Sequence, residues 1–229
     1  FSWNTGKALL NAVIHNPHFY TRQRNLNNGV IPRAPGDVLC GGLCSFNNLR
    51  NHIIMPLQHN NEKTEESRYL CNKVLVWHRL VSHITHNELN RIRTKIVNLR
   101  DNKELRIQYI LNEKTQQELA DTVFRNDTIL KKLTEIHNIY EILSVVGIEL
   151  FAHLCNQKLG NMNINDVIKI ITDLFNEYKT LIKYSNTQLQ DISATFNHSV
   201  IQINEETLDL FNKKYTFAMI NSGLVSNNS

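Results

Sequence analysis

Cysteine and histidine crowd into one stretch of this 229-residue chain. Cys40, Cys44, His52, His59, Cys71, His78, His83 and His86 are eight of the fourteen Cys and His residues, within 47 positions. Sulfur and imidazole nitrogen are the ligands of tetrahedral zinc, which usually draws one close pair from each of two segments. Cys40-Gly-Gly-Leu-Cys44 offers a first pair, with glycines that let the backbone turn sharply around a metal. His83 and His86, three apart on a predicted helix, face one side and offer the second; His52 and His59 compete for that place. The set Cys40, Cys44, His83 and His86 is therefore the candidate metal site, with zinc as its ion. It stands against two simpler readings. In one, Cys71 and His78 flank a helix core and the other histidines are surface groups. In the other, Cys40 and Cys44 form a disulfide, which a reducing compartment disfavours.

Other chemistry finds little footing. Gly6-Lys7-Ala8 resembles the end of a phosphate-binding loop but lacks its first glycine and its hydroxyl residue. No GxGxxG, HExxH or GxSxG pattern occurs. Cys44 has no oriented histidine in sequence to make it a nucleophile. The expectation is a protein that is not an enzyme and needs no cofactor unless zinc is bound. For nucleic acid, the best patch is Phe19 and Tyr20, which could stack on bases, beside Arg22 and Arg24. With Arg33, these residues form the candidate partner-binding set. No zinc-finger, helix-turn-helix or RNA-recognition pattern accompanies them.

The elements that must position these residues divide the chain in two. All four prolines (Pro17, Pro32, Pro35 and Pro56) and five of the eight glycines precede residue 57. Helix interiors exclude both residues, so residues 1–60 are expected to be an irregular arm and 61–229 a helical body. Charge divides in the same way. Residues 1–60 carry five basic residues and one acid, whereas 61–229 carry twenty of each, so the arm holds the whole net charge of +4. A basic strap on a neutral body suits an acidic protein neighbour or a nucleic acid, or simply packing on its own body.

The body reads as an all-α fold: an elongated helical bundle or antiparallel coiled-coil-like assembly. Thr64 caps a helix over 64–100 whose apolar positions are Leu70, Val74, Trp77, Val81 and Ile84 and then, after a slip, Leu89, Ile92, Ile96 and Leu99. Asp101 and Glu104 suggest a restart, with a second helix over about 102–125 carrying Leu105, Ile110, Leu119 and Val123. A third helix follows Asp127 along Leu133, Ile136, Tyr140, Leu143, Gly147, Leu150 and Leu154 and is capped by Gly160. Gly147 in that seam implies close backbone approach. A fourth begins near Asn165 along Ile168, Ile171, Phe175, Tyr178, Ile182, Ser185, Leu189, Ile192 and Phe196. A short last helix after Asn204 would include Leu208, Phe211 and Tyr215. Trp77, Tyr140, Phe175 and Tyr178 are expected in the core.

No run of about 18 uncharged apolar residues occurs, so no membrane span is expected. The chain opens on Phe1 rather than Met, as a processed chain or a piece of a longer one would. Its first residues lack a signal peptide's charged start and continuous apolar core. Asn is the most frequent residue, at 31 of 229, and is scattered rather than clustered. That bias points to an AT-rich genome more than to a mechanism. It leaves the three glycosylation sequons, at Asn126, Asn197 and Asn227, with little weight. Four unevenly spaced cysteines suit a reducing compartment: cytoplasm, nucleus or virion.

The functional expectation is a non-enzymatic structural or scaffolding protein. It would be one subunit of a large homo- or hetero-oligomeric assembly, such as a virus particle, gripping neighbouring subunits through its N-terminal arm and helix faces. The alternative is a zinc-stabilised nucleic-acid-binding or regulatory module.

Overall fold

The computed structural model describes residues 42–59, 65–157 and 159–222. These residues are mostly helical, with one two-stranded sheet. Cys40, Thr64, Phe19, Tyr20, Arg22, Arg24 and Arg33 lie outside them, as does the stretch through Gly41 that carries most of the proposed arm.

The described chain begins with helix where composition suggested irregular backbone. Helix α1 (Phe46–Leu49) runs through a π-helical turn (Arg50–Ile54) into α2 (Met55–His59). Ser45 caps the start, its hydroxyl accepting from the Asn48 N–H at 3.2 Å. The π-turn ends two residues before Pro56, with Met55 N–H bonding the Arg50 carbonyl. A wide turn gives room where a proline ring crowds the carbonyl four residues back. A mid-helix proline costs about 3 kcal/mol. Leu49, Ile53, Ile54 and Leu57 are all buried, each worth roughly 1.5–3 kcal/mol, so burial outweighs the local penalty. Residues 46–59 therefore join the body's core.

Helix α3 (Glu65–His83) continues through a second π-turn (Ile84–Glu88) into α4 (Leu89–Arg100). The predicted seam is buried at Leu70, Val74, Trp77, Val81, Ile84, Leu89, Ile92 and Ile96. The slip between Ile84 and Leu89 coincides with the π-turn. One extra residue in an α-helix would rotate the following apolar stripe by about 100°; a turn bonded i to i+5 absorbs it, so the stripe stays on one face.

Helix α5 (Lys103–Ile110) is short and buries no residue. The helix does restart, but not through an Asp101–Glu104 box: Asn102 is its N-cap and makes no side-chain cap bond, and Asp101 Oδ1 takes the Lys103 N–H at 3.0 Å instead. The second helix then ends early, and the expected break near Asp127 does not exist. Asn112 takes φ 60°, and Thr115 opens α6 (Gln116–Asn156), a single helix of 41 residues. The decisive signal is a capping box: Thr115 Oγ1 accepts from Glu118 N–H at 3.2 Å, and Glu118 Oε2 accepts from Thr115 N–H at 2.8 Å. These bonds, first the Thr115 backbone N–H and then its hydroxyl, hold the Glu118 carboxyl below its ordinary range. A depressed folded-state pKa stabilises above the unfolded value and is lost as pH falls. The first turn of α6 is therefore expected to fray below about pH 4, read as faster amide exchange at Glu118 and Leu119 than in the rest of the helix. Unchanged protection there on acidification would contradict the box.

Helix α6 runs antiparallel to α3 and α4. Its pairs step in opposite directions: Trp77 with Phe151, Val81 with Gly147, Thr85 with Ser144 and Arg93 with His137. It ends at Asn156 with Gln157 as its cap, so Gly160 is not the C-cap but lies in a 3-10 turn, Leu159–Asn161. By length and composition α6 is the one helix among the described residues long and apolar enough to cross a membrane, with mean hydropathy 1.3 over its most apolar eighteen residues. Its apolar half is also a core seam, with Tyr140, Leu143, Gly147, Phe151 and Leu154 buried.

Asn163 caps α7 (Ile164–Phe196), which buries Ile171, Phe175, Tyr178, Ile182, Ser185, Leu189 and Ile192. The expected last helix after Asn204 is replaced by a hairpin. Asn197 stops α7 in the left-handed conformation at φ 52°. Strand β1 (Val200–Ile203) then pairs antiparallel with β2 (Leu210–Lys213), Ile203 opposite Leu210. Leu208 at φ 60° is incompatible with a helix, and Asn204 Oδ1 folds the loop by accepting from Glu206 and Thr207 at 2.8 and 2.9 Å. A short helix, α8 (Phe217–Asn221), follows.

An isolated two-stranded hairpin is marginal in water, and this one is fastened to the helices through buried polar groups. The Asn186 side chain donates to the Ile203 carbonyl at 2.7 Å and accepts the Ile203 N–H at 3.1 Å. Gln202 donates to the Asn186 carbonyl at 2.9 Å and receives the Tyr215 hydroxyl. Tyr140 reaches across from α6 to donate to the Ile201 carbonyl at 2.7 Å.

Candidate functional site

The Cys and His residues of the sequence reading gather around α1 and the second half of α3. Trp77 is fully buried, ringed by Phe151 at 4.4 Å, Tyr178 at 5.3 Å and Phe175 at 5.7 Å between centroids. This aromatic block fixes α3 against α6 and α7. The next residue, His78, leaves the core edge. Its Nε2 lies 2.8 Å from the Cys44 carbonyl and its ring stands edge-on to Phe151 at 5.2 Å. A carbonyl only accepts, so Nε2 carries the hydrogen. That nitrogen is committed to the backbone and takes no proton from a thiol.

Cys44 instead meets Cys155, one turn beyond Phe151 on α6, with the two thiols in hydrogen-bonding contact. That bond, then burial, pushes the Cys44 thiol up, and the same bond holds Cys155 down. Cys71 is buried, and burial pushes its thiol up as well, which describes an inert core cysteine.

His83 and His86 do come together. With Phe46, Leu75, His78 and Arg79 they line an open groove of about 580 Å³. Cys44 is not part of its lining. His83 faces Glu88 at 3.6 Å and Asn87 at 3.0 Å, and Glu88 is held by Arg91 at 2.5 Å. The proposed pairing of Cys44 with His83 and His86 is thus divided between two partnerships, and Cys40 lies outside the described residues. Among the described residues no three His, Cys, Asp or Glu side chains group as metal ligands. His52 lines a separate hollow of about 270 Å³ beside Gln157 and Gly160; the side chain of His59 is outside the described set.

The groove borders the π-turn at Ile84–Glu88, which holds Thr85 against Ser144 of α6 at 2.7 Å and buries the Glu88 carboxylate beside Arg91. Such turns often mark functional places in helices. The groove presents imidazoles, a guanidinium, the Ser82 hydroxyl and the exposed phenyl ring of Phe46.

No family model, curated protein or solved structure matches this chain.

Proposed function

We propose that the chain is a non-enzymatic structural protein whose copies associate through the end of the molecule built from α5 and the start of α6. The observation behind this reading is apolar surface left uncovered there. Ile110 is 74% exposed, Phe124 73%, Val97 64% and Leu111 60%. None of the first 24 residues of α6 is buried, although the helix is 41 residues long. Leu130, Leu133, Ile136 and Ile139 are already partly buried against the core, so about 14 residues of α6, roughly 20 Å, run beyond it. Single exposed apolar residues are ordinary, but several large ones at one end of a molecule mark contact surfaces. Basic and acidic residues alternate through residues 97–132 (Arg100 and Asp101, Lys103 and Glu104, Asp127 and Lys131). Charge of both signs permits copies to approach without net repulsion. The basic residues before Gly42 supply the second contact in this proposal.

Sedimentation of the full chain over a range of concentrations tests the reading. Wild type is expected to associate at tens of micromolar, and Ile110→Ser with Phe124→Ser to remain monomeric. The thermal midpoint should stay close to wild type, because exposed sites shift stability by only about 0.5 kcal/mol. A wild-type chain that sediments as a monomer throughout, or a double variant that associates equally well, overturns it.

A further inference from the structure

Cys44 and Cys155 stand at the ends of elements, where backbone adjusts at small cost. Cys44 lies on the non-helical stretch between Gly42, at φ 83°, and the Ser45 cap, and Cys155 is the penultimate residue of α6. Two further contacts bring their segments together: His78 holds the Cys44 backbone at 2.8 Å, and its ring rests on Phe151, one turn before Cys155. Both thiols are half-buried rather than sealed, so a small reagent reaches them. We propose that Cys44 and Cys155 form a reversible oxidative modification site, closing to an intramolecular disulfide by exchange with a small-molecule disulfide such as oxidised glutathione.

The step balances without a further oxidant. The Cys155 thiolate attacks one sulfur of the reagent disulfide and expels one reagent thiolate, leaving a mixed disulfide on Cys155. Cys44 Sγ, in contact with that sulfur, gives up its proton to solvent and attacks it, expelling the second reagent thiolate. Two protein thiols are oxidised and one reagent disulfide is reduced to two thiols. Either thiol can open the sequence, since both are half-buried, and the products are the same. In a reducing compartment such a bond is transient, as regulatory disulfides are. Once closed, it ties the entry of the body at Cys44 to the far end of α6, spanning about 110 residues.

The full chain is equilibrated with oxidised glutathione, alkylated, digested with trypsin and read by mass spectrometry. A linked pair of Ala34–Arg50 with Leu133–Lys158 is expected. It should persist in Cys40→Ser, vanish in Cys44→Ser and in Cys155→Ser, and be reversed by dithiothreitol. The oxidised wild type should melt roughly 10 °C above the reduced form, since a loop of about 100 residues is closed in the unfolded chain. A link made through Cys40 or Cys71, disulfide-joined dimers, or intact thiols under conditions that oxidise the unfolded chain overturns the proposal.

Discussion

Replacing Gly147 by alanine is expected to lower stability by about 1–2 kcal/mol, and replacing it by leucine to abolish the folded state. A Cβ on Gly147 would lie 2.6 Å from Val81 Cγ2, 3.0 Å from Val81 Cγ1 and 3.3 Å from Tyr178 Cε2. Two opposed effects decide the alanine variant. Helix propensity favours it by about 1 kcal/mol, whereas overpacking a core costs about 1–3 kcal/mol. The clash wins because Val81 is β-branched, locked in its helical rotamer and fully buried, so it cannot swing aside. Tyr178 is equally constrained, its hydroxyl donating to the Leu143 carbonyl at 3.1 Å. Urea unfolding followed by circular dichroism gives the number. Val81→Ala makes space for the new methyl, so the double variant should lose about 1–2 kcal/mol less than the two single losses added together. If Gly147→Ala is more stable than wild type, the close approach of α6 to α3 and α7 is not what the glycine serves.

The second large effect belongs to Asn186. Asn186→Leu is expected to cost about 4 kcal/mol, because it orphans the Ile203 N–H and carbonyl together in the interior, each worth roughly 1–3 kcal/mol. Asn186→Asp separates hydrogen bonding from size. A protonated carboxyl can reproduce both bonds, donating to the Ile203 carbonyl and accepting its N–H. An ionised one faces that carbonyl with like partial charge, so the folded-state pKa of the new aspartate is raised. Stability is then fully present below the unfolded value of about 4 and is lost as pH rises through the folded value. Asn186→Asp should therefore approach wild-type stability near pH 4 and fall well below it at pH 7. A pH-independent deficit would mean that the amide fills space and does not bond the hairpin.

How much of this was readable beforehand varies by element. The α3–α4 seam, including its slip, and the α7 seam follow from apolar spacing, because burial on one helix face leaves a periodic trace. Gly147 was readable for the same reason: a glycine stands where the period demands a large side chain. The start of α6 was in reach, since Thr115 and Glu118 have the capping-box spacing, but the apolar residues on either side of it suggested one continuous helix. Residues 46–59 misled because Pro56 is a strong local signal and the burial that overrides it is tertiary. The hairpin was missed because Leu208, Phe211 and Tyr215 imitate helical spacing, while the groups that hold it, Asn186 and Tyr140, are distant in sequence. At the candidate site, the spacing of His83 and His86 rightly put them side by side, but the groove they line was not legible, because Phe46 reaches it from elsewhere in the chain. The partner of Cys44 was not, because nothing local marks Cys155 as its neighbour.

The turn at Ile84–Glu88 carries one residue more than the packing of α3–α4 on α6 requires. A helix shortened by one position there would keep Ile84 and Leu89 on the same stripe at ordinary spacing. Loss of a single codon there would therefore fall on the turn that borders the groove of His83, His86 and Asn87 and leave the apolar stripe behind it in register.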